Sequence, residues 1–306
     1  MRYYAGGWKH LKIAVLLVNY GQWELARRCL ESVSASEGVD VLPVMVDNAS
    51  PTPKPAWVDE FPGLRFQALG ANTGFAAGNN SAFDMLEEGE VEYVFLLNTD
   101  AVVSPSTLTT LASFLDSHPE ASIASSPVFY SSDPAIVWSA GGRFKPVRML
   151  LDQRYNTPAS ALPLEPEESD FATGCAMMVR YDVFREMKGF RSEYFMYWED
   201  LEFCLRVGRS GGRVFLVPSA CVLHDVAACS GGPGSPTAVY YPFRNRFILA
   251  RDILDPVRKT VFHAYATLVV LAKSVIFPLE GWAGLVPVIW RAYLDGISGR
   301  SGPWSR

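Results

Sequence analysis

What most constrains this chain is the rhythm of its first hundred residues, where short apolar runs that end on polar residues alternate with amphipathic segments. Lys12 to Asn19 (KIAVLLVN) predicts a buried strand. Trp23 to Ser34 follows, with Leu25, Cys29, Leu30 and Val33 at near-helical spacing, and predicts a helix lying on that sheet. Val41 to Asp47, Leu64 to Leu69 and Tyr93 to Leu97 supply further strands, and Pro51, Pro53 and Pro55 keep the loop after Asp47 from continuing as helix or central strand. This is the pattern of βαβ units around a mostly parallel sheet. In such sheets ligands bind beyond the carboxyl ends of the strands. Asn19-Tyr20, Asp47-Asn48 and Asn98-Thr99-Asp100 fall there, so three polar strand ends are expected to converge on one crevice.

With 306 residues the chain forms one large domain or two small ones, at about 100 to 200 residues per domain. A composition of 49% hydrophobic and 19% charged residues fits a soluble globular enzyme and not a disordered or multispanning chain. Acids outnumber bases 32 to 27, and a net charge of −5 argues against nucleic acid as the partner. The five cysteines are widely spaced with no CxxC pair, which points to reduced thiols in a cytoplasmic protein. Met1 to Lys12 lacks the apolar core of a signal peptide. Val261 to Leu279 is interrupted by His263, Lys273 and Pro278, short of the ~20 clean residues of a spanning helix, so no membrane span is expected.

The second half has a different texture. Residues 143–170, with four prolines and the acids Glu165, Glu167, Glu168 and Asp170, are expected to form a mobile loop. Phe171 to Arg180 reads as a strand, Asp200 to Arg209 as a helix, and the chain from Tyr240 on as apolar helices.

Several residues carry chemistry of two kinds each. Asp100, at a strand end, suits a hard divalent cation, or a simple turn or helix cap. Asp47 suits a base or ribose, or an Asx turn. The segment from Gly70 to Asn80 leads into a helix whose N-terminus would face phosphates, with Gly74 and Gly78 leaving space for a nucleotide; the alternative is a capping loop. Glu199-Asp200 follows the aromatic run Tyr194 to Trp198. These acids are either helix-start partners or a general base whose pKa an apolar wall raises, beside rings on which a sugar can stack. His224 gains weight only if the fold brings it to Asp100, and Arg244 offers a cation for a diphosphate.

In their order and spacing these segments resemble glycosyltransferase family 2, and within it the rhamnosyltransferase-like subgroup. The resemblance rests on Val46-Asp47-Asn48, Asn72-Thr73-Gly74-Phe75, Asn98-Thr99-Asp100, Thr173-Gly174-Cys175, Trp198-Glu199-Asp200, His224 and Tyr241-Pro242-Phe243-Arg244-Asn245. It implies a GT-A fold, an α/β Rossmann-like mixed sheet flanked by helices with a helical C-terminal extension. Residues 1–239 would form the glycosyltransferase domain, with a donor half near 12–130 and an acceptor half near 131–239, and 240–306 the helical region.

It also implies a nucleotide-sugar donor, a divalent cation (Mg²⁺ or Mn²⁺) and inversion at the anomeric carbon. Asp200 would be the general base, with Glu199 orienting it or the acceptor. Asp100 would hold the metal, with His224 as second ligand. Asn19, Tyr20, Asp47, Asn72, Gly74, Asn79 and Asn98 would line the donor pocket, Arg244 would steady the leaving group and Trp198 would meet the acceptor. The wider family has an acid where this chain has Asn98. The subgroup favours dTDP-rhamnose, with UDP-sugars open, and a glycan, lipid-linked or small acceptor. The C-terminal region, with Lys273, Trp282, Trp290, Arg291 and Tyr293, suits either a membrane surface at the inner face of the membrane or a packed or dimeric interface. A processive synthase is excluded by the missing Gln-x-x-Arg-Trp motif. A non-catalytic nucleotide-sugar-binding protein is the competing reading, and the retained Glu199 and Asp200 speak against it.

Overall fold

Apolar strands need cover on both faces, and the chain supplies it by wrapping helices around one large sheet and leaning a second, smaller sheet against its edge. The computed structural model describes residues 11–226 and 234–304. The start of the chain up to His10, and Cys229, therefore lie outside the described residues; among the described residues Cys29, Cys175, Cys204 and Cys221 form no disulfide.

The first half runs β1 (Lys12–Asn19), α1 (Trp23–Ser34), β2 (Asp40–Asp47), α2 (Trp57–Glu60), β3 (Arg65–Ala68), α3 (Gly74–Phe83), β4 (Tyr93–Asn98), β5 (Ala101–Val103), α4 (Thr107–Ser117), β6 (Ala121–Ser125) and β7 (Val128–Tyr130). The second continues with β8 (Asp133–Lys145), β9 (Leu150–Arg154), β10 (Thr157–Pro158), β11 (Glu167–Ser169), β12 (Ala176–Arg180), α5 (Tyr181–Glu186), α6 (Glu199–Arg209), β13 (Arg213–Leu216) and β14 (Val222–His224). Three helices follow: α7 (Pro236–Ile253), α8 (Pro256–Leu279) and α9 (Val286–Ile297).

The large sheet has the order β11-β13-β6-β12-β4-β1-β2-β3. The segment β4-β1-β2-β3 is parallel throughout, and β12 runs antiparallel between β4 and β6. Strand order reverses between β1 and β4, the switch point at which open α/β sheets hold ligands. Ile13, Val15 and Leu17 of β1 pack against α1 on one face, while Ala14 and Leu16 pack with Ala76 and Ala82 of α3 on the other. Gly78 lets α3 lie close on β1, because a Cβ there would stand 2.7 Å from Cγ1 of Val18.

The smaller sheet has the order β10-β8-β7-β14-β5, with β9 paired to β8. Here the expected mobile loop is corrected: residues 143–170 are largely paired. Strand β9 folds back on β8, β11 joins the large sheet beside β13, and two of the four acids, Glu167 and Asp170, have partners. Glu167 receives Arg154, and Asp170 receives the backbone N–H of Phe144 at 2.9 Å. The prolines sit at the turns between these strands or, like Pro158, on the short strand β10 at the sheet edge, where a missing N–H costs no ladder bond.

His263 and Lys273 do not interrupt the C-terminal helix, and Pro278 falls in its last turn, so α8 is a continuous 24-residue helix, long and apolar enough by length and composition to cross a membrane. It buries Phe262, Ala266, Val270 and Phe277 in the cluster formed with α7 and α9.

Candidate active site

Asp100 owes its position to a change of sheet. β4 ends at Asn98 in the large sheet and β5 begins at Ala101 in the small one, so Thr99 and Asp100 form the corner between them, both buried. β14 pairs antiparallel with β5 so that His224 lies opposite Ala101. His224 Nε2 consequently stands 2.9 Å from Oδ1 of Asp100 and 3.5 Å from the Asn98 amide, and the Asp225 N–H donates to the Asp100 carbonyl at 2.8 Å. Trp138 of β8 covers the imidazole edge-on, ring centres 4.6 Å apart, and Nδ1 of His224 is buried without a partner among the described residues.

Another part of the site is built by residues 194–200. Phe195, Tyr197 and Trp198 hold φ of 65°, 65° and 76°, in the left-handed region that bulky side chains avoid. Each such residue costs of order 1–3 kcal/mol and persists only when its surroundings over-determine it. Asn245 of α7 does this: its Nδ2 shares its protons among the carbonyls of Tyr194 (3.0 Å), Met196 (2.9 Å) and Tyr197 (2.6 Å). Ala76 at the start of α3 donates to the Phe195 carbonyl at 3.2 Å. The strained segment delivers Glu199 and Asp200 as the first residues of α6, where the helix N-terminus favours negative charge.

Asp200 accepts the N–H of Gly174 at 3.1 Å and that of Leu201 at 2.8 Å, yet keeps part of its surface in the crevice. Burial raises its pKa, opposed by those backbone bonds. Glu199 is buried with Oε2 unpartnered, and burial, reinforced by the charge of Asp200, pushes it well above the usual carboxylate range. Burial raises both adjacent acids, Glu199 well above the ordinary range, so Asp200 is the first of the two to ionise.

Both parts open into one crevice of about 480 Å³ that unites Asn98, Asp100, His224, Trp198, Glu199 and Asp200. β8 lines it with Trp138, against His224, and Ser139, while Phe144 further along the strand packs on Trp198. Asp100 and His224 suit a divalent cation of the Mn²⁺ or Mg²⁺ kind, a carboxylate and an imidazole whose Oδ1 and Nε2 lie 2.9 Å apart with the Asn98 amide beside them. No group of three or more acid, His or Cys side chains forms a full cage among the described residues, so the remaining ligands would be phosphate oxygens and water.

The other expected residues are placed elsewhere. Asn19 and Asp47 are neighbours in the sheet register, and Val18 lies opposite Asn98, so the strand ends are adjacent as expected. Their side chains, however, serve one another: Asp47 accepts from Asn19 at 3.3 Å and from Ser50, while Asn19 is wholly buried and Tyr20 half exposed. Asn72 accepts the Gly74 N–H at 2.9 Å, and Asn79 is buried and donates to Phe75. Two expectations are corrected. The free N-terminal N–H of α3 at Ala76 meets the Phe195 carbonyl, not a phosphate, and Gly74 (φ +84°) is glycine because a Cβ would strike Phe195. Arg244 does not reach the crevice. It is completely buried, donating to the carbonyls of Tyr194 (3.0 Å) and Gly302 (2.6 Å) and to Asn245, so it braces the strained segment from behind.

Sequence reasoning missed Trp138, Asn245 as a clamp, and Arg246, which lines the crevice beside Trp198. Arg246 lies two residues from Arg244, and helical positions two apart point to different sides. That spacing was a readable signal that only one of the pair faces the site.

The family profile described as "Glycosyl transferase family 2" matches residues 14–187. Among curated relatives, the chain is 28% identical to the N-acetylglucosaminyl-diphospho-decaprenol L-rhamnosyltransferase of Mycobacterium tuberculosis over 261 residues, 78% of this chain and 84% of that one. It is 26% identical to the low-salt glycan biosynthesis hexosyltransferase Agl10 of Haloferax volcanii, covering 95% and 92%. Among solved structures, the mannosyltransferase PcManGT of Pyrobaculum calidifontis, in complex with GDP-Man and Mn²⁺, superposes with a TM-score of 0.60 at 15% identity, covering 94% of this chain and 88% of the other, a likeness of fold.

Proposed function

The chain belongs to glycosyltransferase family 2, as a rhamnosyltransferase-like member with the GT-A fold, and from that premise we propose that it transfers a sugar, rhamnose foremost, from a nucleotide-diphosphate donor to an acceptor hydroxyl with inversion. The observation that carries this reading is the single crevice that Asp100, His224 and Asp200 all line.

A divalent cation held by Asp100 and His224 would stabilise charge on the departing diphosphate. The protein's own groups do the rest. Asp200, ionised and fixed by Gly174 and Leu201, accepts the proton of the acceptor hydroxyl as its oxygen attacks the anomeric carbon. Glu199, protonated and buried, keeps a second negative charge away from that base. Trp138 and Trp198 give apolar faces on which sugar rings stack. One carboxylate on the acceptor side supports one displacement, hence inversion. The strand ends at Asn19, Tyr20 and Asp47 lie beside this crevice and support a place for the nucleoside.

A panel of nucleotide sugars, dTDP-rhamnose first and UDP-sugars after it, tests the donor. One member is expected to bind at least 10-fold tighter with Mn²⁺ or Mg²⁺ than with EDTA, and Asp100→Ala is expected to abolish the difference. Metal-independent binding that Asp100→Ala leaves untouched contradicts the assignment.

Helix α8 supports a peripheral contact with a membrane carrying a lipid-linked acceptor. Val257, Val261, Leu268, Leu271, Val275 and Leu279 form an exposed apolar stripe, and Trp282 beyond it is 44% exposed. The helix carries Arg258, Lys259 and Lys273 and no acid, in a chain of net charge −5, which fits an anionic bilayer surface. The buried face packed on α7 and α9 favours lying on the bilayer over spanning it. Sedimentation with anionic vesicles is expected to carry the protein down, and zwitterionic vesicles to do so weakly. No sedimentation with either, together with a dimer in solution, would assign the stripe to a second copy.

A further inference from the structure

Strand β8 is irregular where it forms the wall of the crevice. Against β7, Val128 lies opposite Ser139 and Phe129 opposite Val137, so Trp138 is an extra residue on β8, a β-bulge. Consecutive residues of a regular strand point to opposite faces. The bulge cancels that alternation, and Trp138 and Ser139 both line the crevice. Bulges beside active sites re-aim side chains in this way.

The bulge assembles a recognition surface. Ser139, almost wholly buried, donates from Oγ to Oε1 of Gln153 on the neighbouring strand β9 at 3.2 Å. With its carbonyl oxygen taken, the Gln153 amide presents its NH₂ group, which donates to no protein atom among the described residues. Gln153 lines the crevice as well. An indole face beside a fixed amide donor suits a sugar, whose C–H face packs on the ring while a hydroxyl oxygen accepts the N–H.

Contact decides which sugar this is. Trp138 packs edge-on against His224, ring centres 4.6 Å apart, and His224 Nε2 stands 2.9 Å from Asp100. A diphosphate held at that pair through a divalent cation carries its sugar directly on its terminal phosphate, beside this wall. We propose that Trp138, Ser139 and Gln153 form the subsite that selects the transferred sugar. The indole is its platform, the Gln153 amide donates to one sugar hydroxyl, and Ser139 is the residue that positions that amide. The inference rests on the glycosyltransfer reading and deepens it, by naming the side chains that read the donor sugar.

The test uses the full chain with Mn²⁺ and no acceptor. Calorimetry gives the affinities for the best donor of the nucleotide-sugar panel, for forms of it lacking one sugar hydroxyl each, and for its nucleoside diphosphate. Wild type is expected to bind the parent donor about 10-fold tighter than one of the deoxy forms, the scale of one hydrogen bond lost from a site built for it. Gln153→Leu should lose that factor on the parent, lose nothing further on that deoxy form, and bind the nucleoside diphosphate as wild type does. Ser139→Ala frees the amide to turn and should blunt the preference about three-fold. A merely structural role would weaken every form alike. The assignment is overturned if wild type prefers the parent over none of the deoxy forms, if Gln153→Leu keeps the wild-type preference, or if Gln153→Leu weakens parent, deoxy forms and nucleoside diphosphate equally. Wild type that binds neither donor nor nucleoside diphosphate overturns the glycosyltransfer reading and this inference with it, whereas any of the other three results in a protein that binds the nucleoside diphosphate strikes the inference alone.

Discussion

Asp200→Asn is expected to lower kcat by about 10²- to 10⁴-fold, the typical contribution of a general base, while the affinity for the donor stays within a few-fold of wild type. The substitution keeps the size of the side chain and one oxygen for the Gly174 or Leu201 N–H, so the start of α6 survives and the loss reports proton transfer. The pH dependence follows from the same geometry. Burial raises the pKa of Asp200, and a base works only when ionised, so kcat/KM should fall as pH drops through a limb lying above the ordinary aspartate range. Glu199→Gln should leave that limb in place, because burial and the charge of Asp200 already keep Glu199 protonated there. A limb that moves down in Glu199→Gln would show that Glu199 is ionised and that the two acids share the titration.

The second large effect is expected at a residue that touches no substrate. Asn245→Ala removes the amide that holds the carbonyls of Tyr194, Met196 and Tyr197, and with it the counterweight to three bulky residues at positive φ. At about 1 kcal/mol for each net hydrogen bond, the loss of stability should be about 2–4 kcal/mol. The catalytic loss should be larger than that suggests. When the segment relaxes, Trp198, Glu199 and Asp200 shift together, and a misplacement of about 1 Å costs on the order of 10²-fold in rate. Thermal melts and kcat measured below the melting range separate the two. Metal-dependent donor binding at Asp100 should be retained, because that corner is built by β4, β5 and β14. A variant that melts early but turns over normally would show that the strained segment is not what positions Asp200.

These two predictions mark where the sequence was legible. β1 and α1 were readable to the residue, because an unbroken apolar run and a clean helical period leave one solution each. Asp100, Glu199, Asp200 and His224 were readable as candidates, since each lies at or next to the end of an element and strand ends in such sheets are where ligands bind. The hairpin of β8 and β9 was not readable. Its prolines and acids look like loop, and its strands depend on partners across turns and not on a pattern of their own. The asparagine-glycine segment misled for a related reason. Gly74 and the N-terminus of α3 have the local form of a phosphate cradle, but the group that occupies the space is the Phe195 carbonyl, over a hundred residues away. Arg244 misled because helix periodicity does not say which face of α7 meets the crevice; that is fixed by the aromatic packing of Tyr240 and Tyr241 around its guanidinium.

The most direct test of the central claim, that one crevice holds both a metal site for the donor and a base for the acceptor, is to measure donor affinity with and without Mn²⁺ beside single-turnover transfer, in wild type, Asp100→Ala and Asp200→Asn. The account predicts a double dissociation. Asp100→Ala loses the metal-dependent part of donor affinity, whereas Asp200→Asn binds donor and metal as wild type does and fails to transfer the sugar. Transfer at the wild-type rate by Asp200→Asn, or undiminished metal-dependent binding by Asp100→Ala, would contradict it.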